Sequence, residues 1–139
     1  MRKILISIVI LGLLFSCKKE ENTPQDNVND PTLPNGTVLV QGSFTGNSNY
    51  QVSGSVKYLQ SNGMYTVRLE NFSSSNGPDL KVYLAKDLKA QDFINLGELR
   101  SVSGNQNYSV TGMPNISQYQ YVLIWCEKFG ALFGSAQLK

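Results

Sequence analysis

The stretch from Tyr50 to Asn71 reads YQVSGSVKYLQSNGMYTVRLEN, with β-branched and aromatic residues recurring on either side of Ser61-Asn62-Gly63. Alternation of this kind has the period of a strand, not the 3.6-residue period of a helix. Asn-Gly accepts the positive φ that a tight turn demands, so the two runs are expected to form a hairpin, the first from about Tyr50 to Leu59 and the second from Met64 to Asn71. In the returning arm Tyr65, Val67 and Leu69 share one face, and Thr66, Arg68 and Glu70 the other.

The same pattern continues in both directions. Val38, Val40, Gly42 and Phe44 alternate in a first strand, and Asn76-Gly77-Pro78-Asp79 makes a turn or bulge entering Leu80 to Leu84. Further strands are expected from Ile94 to Leu99, Asn107 to Val110, Tyr119 to Cys126 and about Ala131 to Leu138. Only Lys86 to Phe93 reads as a helical turn or two. About eight short strands between Gly, Asn and Ser punctuation predict an all-β fold, a single antiparallel β-sandwich or barrel-like domain over residues 37–139. Gly97, Gly104, Gly130 and Gly134 fall at strand ends or inside apolar runs, where glycine permits a bulge, a positive φ or close backbone approach. They are assigned to the fold, with no ligand implied.

The leader, MRKILISIVILGLLFSCKKEEN, places Arg2 and Lys3 before an apolar run from Ile4 to Phe15. This is the plan of a secretory signal, and the run is well short of the roughly 20 residues that a membrane-spanning helix needs. Leu14-Phe15-Ser16-Cys17 resembles a bacterial lipobox. On that reading residues 1–16 are a lipoprotein signal peptide, and Cys17 is acylated as the first residue of the mature chain. Several acyl chains give stable anchoring, since each buried methylene contributes about 0.8 kcal/mol. Lys19-Glu20-Glu21 looks like the lysine-then-acidic signal of Bacteroidetes lipoproteins sent to the outer face of the outer membrane. The expected location is the cell envelope, as a surface-facing outer membrane lipoprotein. Residues 17–36 would be the acylated cysteine and a flexible linker: EENTPQDNVNDPTLPNG is nearly free of large apolar residues and carries Pro24, Pro31 and Pro34.

Removing Arg2 and Lys3 with the leader leaves basic and acidic residues equal in number. No cationic stripe is visible, so nucleic acid is not an expected partner. The chain has no histidine, which removes Ser-His-Asp and Cys-His hydrolysis and the commonest ligand of zinc, copper and haem. Haem ligands would have to come from Met64, Met113, Cys126 or a tyrosine, whose spacing does not suggest it. No metal and no cofactor is expected. Glu70, Asp79, Asp87, Asp92 and Glu98 are scattered, with no sign of the converging pair that a glycosidase uses.

That leaves Cys126 and its surroundings. With Cys17 acylated, Cys126 has no partner in its own chain. Strand period puts it on the face of Val122 and Ile124, with Tyr121, Leu123 and Trp125 opposite, and both faces are apolar. Two readings stay open. Cys126 is a small buried hydrophobe and inert, or it sits at the rim before Glu127 and Lys128 as a thiol that can form sulfenic acid or a mixed disulfide. Asp79, fixed behind Gly77-Pro78, reads as a turn residue accepting backbone hydrogen bonds. Asp79 and Trp125 are the candidate binding residues beside it.

The ordered set Gly42-Ser43-Phe44, Val52-Ser53-Gly54-Ser55-Val56, Leu69-Glu70-Asn71-Phe72 and Gly77-Pro78-Asp79-Leu80 with Val82-Tyr83-Leu84 resembles the DM-thirteen domain family. So do Leu96-Gly97-Glu98-Leu99, Gly104-Asn105-Gln106-Asn107-Tyr108, Ile124-Trp125-Cys126-Glu127-Lys128-Phe129 and Phe133-Gly134-Ser135-Ala136-Gln137-Leu138. Where many members carry a histidine before the Val-Ser-Gly segment, this chain has Tyr50-Gln51. The resemblance implies an all-β extracytoplasmic domain with a redox or electron-transfer role centred on Cys126, and an envelope redox protein as partner. The alternative is a non-catalytic cell-surface binding module for protein or glycan, with Cys126 as core and an exposed Tyr and Asn patch around Tyr50, Tyr58 or Tyr119. Neither reading needs a stand-alone enzyme.

Overall fold

The computed structural model describes Pro24, residues 27–33 and residues 35–139. The signal segment, the Cys17 lipobox and Lys19-Glu20-Glu21 lie outside the described residues. Those residues carry strands β1 (Val28–Asn29), β2 (Thr37–Gly46), β3 (Val52–Ser61), β4 (Met64–Ser74), β5 (Leu80–Ala85), β6 (Phe93–Glu98), β7 (Ser103–Val110), β8 (Tyr121–Cys126) and β9 (Ala131–Gln137). They form one sheet in the order β1-β7-β4-β3-β2-β9-β8-β5-β6, curled into a half-barrel. All neighbours are antiparallel except β1 and β7.

β2 makes the curl possible. Its first part, Thr37 to Ser43, pairs with β3, and Phe44 to Gly46 pair with β9, so one strand serves both halves. The β3–β4 hairpin turns at Asn62 (φ 51°) and Gly63 (φ 76°), as the Asn-Gly reading requires. Its alternation holds: Val56, Tyr58, Val67 and Leu69 face inward and are buried with Val82, Leu84, Val122 and Ile124. Burying each large apolar side chain contributes about 1.5–3 kcal/mol, so this interior sets the stability of the fold. A second, smaller cluster lies on the opposite face of β5 and β8, where Tyr83, Ala85 and Leu123 are covered by Ala90, Tyr121, Trp125 and Leu132.

Two expectations are corrected. Residues 86–92 form turns and bends, not helix. The Asp87 carboxylate accepts the Lys89 amide at 2.7 Å, which starts a turn, but Ala90 at φ 51° is left-handed and cannot continue a right-handed helix. Tyr58, offered as part of an exposed patch, is 1% exposed and stacks on Tyr65 at 5.6 Å. It shares the parity of Val52 and Val56, so it points into the core.

The stretch 27–33, which the sequence assigned to the linker, is docked. β1 lies parallel to β7, Val28 opposite Gly104 and Asn29 opposite Asn105. Gly104 at φ 99° has no Cβ to collide with the Val28 carbonyl, so the close approach depends on glycine. Asp30 pairs with Arg100 and accepts the Asn107 amide at 2.8 Å. Arg68, on the polar face of β4, donates to the Pro31 carbonyl at 3.0 Å and to Asn107 Oδ1 at 2.8 Å. It is only 3% exposed because this strap lies over it.

Candidate functional site

The Gly77-Pro78-Asp79 turn and the end of β8 meet at one end of the sheet. Leu80 pairs with Cys126 and Lys81 with Trp125, so β5 and β8 carry their ends to the same place. The turn is tightly built. A Cβ on Gly77 would come 2.7 Å from the Phe133 ring, so only glycine lets the turn close over the core. Asp79 takes φ 59°, which short polar side chains tolerate, and its carbonyl accepts the Glu127 amide at 3.1 Å.

Cys126 lies beneath this turn. Its side chain has no exposed surface, and its thiol donates to the Pro78 carbonyl at 2.9 Å. The face assignment from strand period is correct: Val122, Ile124 and Cys126 line the core, and Tyr121, Leu123 and Trp125 face the outer cluster. The rim position is not what the fold provides. A solute cannot reach the sulfur without displacing residues 77–79, so a mixed disulfide or a peroxide-formed sulfenic acid requires the turn to open.

Asp79 does not cap backbone amides as expected. Its carboxylate meets the Lys81 ammonium at 2.7 Å, and the same ammonium reaches Glu98 at 3.3 Å. Burial pulls the Lys81 pKa down, but hydrogen bonds to Asp79 and Glu98 outweigh it and leave the lysine above its ordinary value. This triad lies beside Trp125, the register partner of Lys81. Among the described residues no group of three or more His, Cys, Asp and Glu is placed to hold a metal ion.

Sequence reasoning missed the pair that completes this end. The Tyr83 hydroxyl donates to Glu127 Oε1 at 2.5 Å. Its ring stacks on Phe93 at 4.0 Å and lies near-parallel to Trp125 at 6.4 Å. Tyr83 is 2% exposed, whereas Phe93 is 38% exposed, so the aromatic row runs from the surface to a buried phenol. Burial first, and the Glu127 carboxylate second, push the Tyr83 pKa well above the tyrosine range. The available signal was the outward parity of Tyr83 and Trp125 on two strands. What was missing was the pairing of β5 with β8.

The structure therefore gathers Cys126, Asp79 and Trp125 at one end of the sheet with Glu127, Lys81 and Glu98, and places Tyr83 in the middle of β5, where its hydroxyl reaches Glu127 and its ring is stacked on Phe93, the partner of Ala85 at the far end of that strand. Tyr50 is joined to this end through Phe133, on whose ring it stacks at 3.7 Å and over which Gly77 closes, whereas Tyr119 lies against Lys86. No curated protein and no solved structure matches the chain significantly. The family model described as Electron transfer DM13 does match, over residues 43–138, a span that takes in all of β3 to β9 and both arms of this site. A match over well over half of the chain establishes membership: the protein belongs to the electron-transfer DM13 family.

Proposed function

We propose that this is a one-electron transfer domain, tethered to the outer membrane through Cys17, whose redox centre is the aromatic row of Phe93, Tyr83 and Trp125 on the outer face of β6, β5 and β8 and not an accessible thiol. The observation that carries the reading is the 2.5 Å hydrogen bond from Tyr83 to Glu127, set in a row with Phe93 and Trp125.

The chemistry follows from charge. Taking an electron from a buried phenol without moving its proton leaves an unpaired positive charge in an apolar site, which is costly. Here the proton has a place to go. Loss of one electron from Tyr83 to a high-potential one-electron acceptor on an envelope redox partner, with the hydroxyl proton passing to Glu127, leaves a neutral phenoxyl radical and a neutral carboxylic acid. Return of an electron from a one-electron donor reverses both changes. Glu127 is exposed, so the proton can continue to water.

Cys126 takes a lesser part. One-electron oxidation of its thiol must also release a proton, and its hydrogen-bond acceptor is the Pro78 carbonyl, which is not a base at neutral pH. Tyr83 is therefore the better electron donor, and Cys126 chiefly holds the turn that positions Asp79 and Glu127.

The test is photo-oxidation of the full-length protein in detergent by a ruthenium(III) polypyridyl oxidant, read by electron paramagnetic resonance. A tyrosyl signal that disappears in Tyr83→Phe and forms more slowly in Glu127→Gln supports the reading. A tyrosyl signal that persists undiminished in Tyr83→Phe removes it.

A further inference from the structure

At the opposite end of the β8–β9 hairpin lies a groove of about 570 Å³, within the usual range for ligand sites. β2 contributes Gln41, Ser43 and Thr45, and β9 contributes Ser135 and Gln137. All five side chains are neutral, and all carry amide or hydroxyl groups able both to donate and to accept. Among the described residues none of the five side chains is engaged in a hydrogen bond or ion pair within the protein.

The other lining groups are of a different kind. Tyr121 on β8 and Leu88 from the 86–92 turns face into the same groove, and Leu88 is 44% exposed. Among the described residues Lys139 is the only charged one lining it. The groove is thus two-sided, with neutral hydrogen-bonding groups along two neighbouring strands and an aromatic and an aliphatic surface beside them.

We propose that this groove is a binding site for a neutral oligosaccharide. A pyranose presents the complementary surface: hydroxyls around its edge for the amides and hydroxyls, and a face of C–H groups for Tyr121 and Leu88. A phosphorylated or strongly acidic ligand would meet one cation. A cationic ligand would meet no Asp or Glu side chain among the described lining residues. The site uses the same outer face of the sheet as Trp125 but the other end of β8; Tyr121 packs against the Tyr83 cluster, yet Tyr83, Phe93, Trp125 and Glu127 do not line the groove, so sugar binding and electron transfer are read on different residues. For a chain displayed at a cell surface, such a site holds the domain against a polysaccharide layer.

The experiment titrates the full-length protein in detergent with neutral hexasaccharides built from glucose, mannose or galactose, with an acidic uronic-acid hexamer as comparison, followed by calorimetry. At least one neutral hexamer is expected to bind and the acidic one not. Gln41→Ala combined with Gln137→Ala should weaken binding at least about tenfold, the loss expected from removing hydrogen bonds by both amides. Phe129→Ala, in the β8–β9 turn at the far end, should leave binding unchanged. Absence of binding by every neutral hexamer at millimolar concentration, tighter binding of the acidic one, or full binding by the double variant would overturn the proposal. Because the photo-oxidation of Tyr83 is read separately, either result leaves the electron-transfer reading to stand or fall on its own.

Discussion

Replacing Asp30 by Ala tests whether the strap is part of the folded domain. The carboxylate pairs with Arg100, whose side chain is 44% exposed, so the ion pair itself contributes only about 0.5 kcal/mol. It also accepts the Asn107 amide at 2.8 Å. Leaving that part-buried donor without an acceptor costs about 1–2 kcal/mol. The expected loss is therefore about 2 kcal/mol. Trp125 is the only tryptophan in the chain, so urea unfolding of the full chain can be followed by its fluorescence. With a slope of about 1–2 kcal/mol per molar urea for a domain this small, the midpoint should fall by roughly 1–2 M. The pH dependence has a defined sign. The Arg100 guanidinium, working against burial, holds Asp30 below its ordinary value of 3.8. The contribution is thus fully present above the unfolded value and is lost as pH falls through the lower folded one. Wild type and Asp30→Ala should differ near neutral pH and converge in acid. An unchanged urea midpoint would mean that the strap leaves before the domain unfolds, and the reasoning would fail.

Two further outcomes follow from single residues. Tyr58 buries a hydroxyl with no hydrogen-bond partner, and burial, aided by Tyr65, pushes its pKa up to about 12. Tyr58→Phe removes an unsatisfied group while keeping the ring, so thermal unfolding should show a gain of about 1 kcal/mol; a clear loss would mean that the hydroxyl is satisfied in solution. Cys126, in a chain carrying Cys17→Ser, should react with a thiol reagent only as fast as the domain opens. Labelling at the rate of a free cysteine in the folded protein would return the accessible-thiol reading.

The sequence carried the hairpins because their information is local. Asn62-Gly63 names its own turn, and the alternation through Val67 and Leu69 names its own face. The same logic put Cys126 beside Ile124 correctly. It did not say whether that position is covered, because the cover is the Gly77-Pro78-Asp79 turn, far away in the chain. Arg68 shows the same limit. Its outward parity was legible, but its burial depends on Asp30 and Pro31 lying across it. β1 has almost no pattern of its own; Val28–Asn29 becomes a strand only because Gly104 leaves room and Arg100 holds Asp30. The Tyr83–Glu127 pair was illegible for the related reason that neither residue is unusual until β5 and β8 pair. The turns at 86–92 were misread because alternation is weak there and nothing local showed that Ala90 adopts a left-handed backbone.

The most direct measurement compares photo-oxidised wild type, Cys126→Ser and Tyr83→Phe by electron paramagnetic resonance in one series. If the aromatic row of Phe93, Tyr83 and Trp125 carries the electron, the tyrosyl signal persists in Cys126→Ser and is lost in Tyr83→Phe. A sulfur-centred radical, present in wild type and in Tyr83→Phe but lost in Cys126→Ser, would contradict the account and return the redox role to the cysteine.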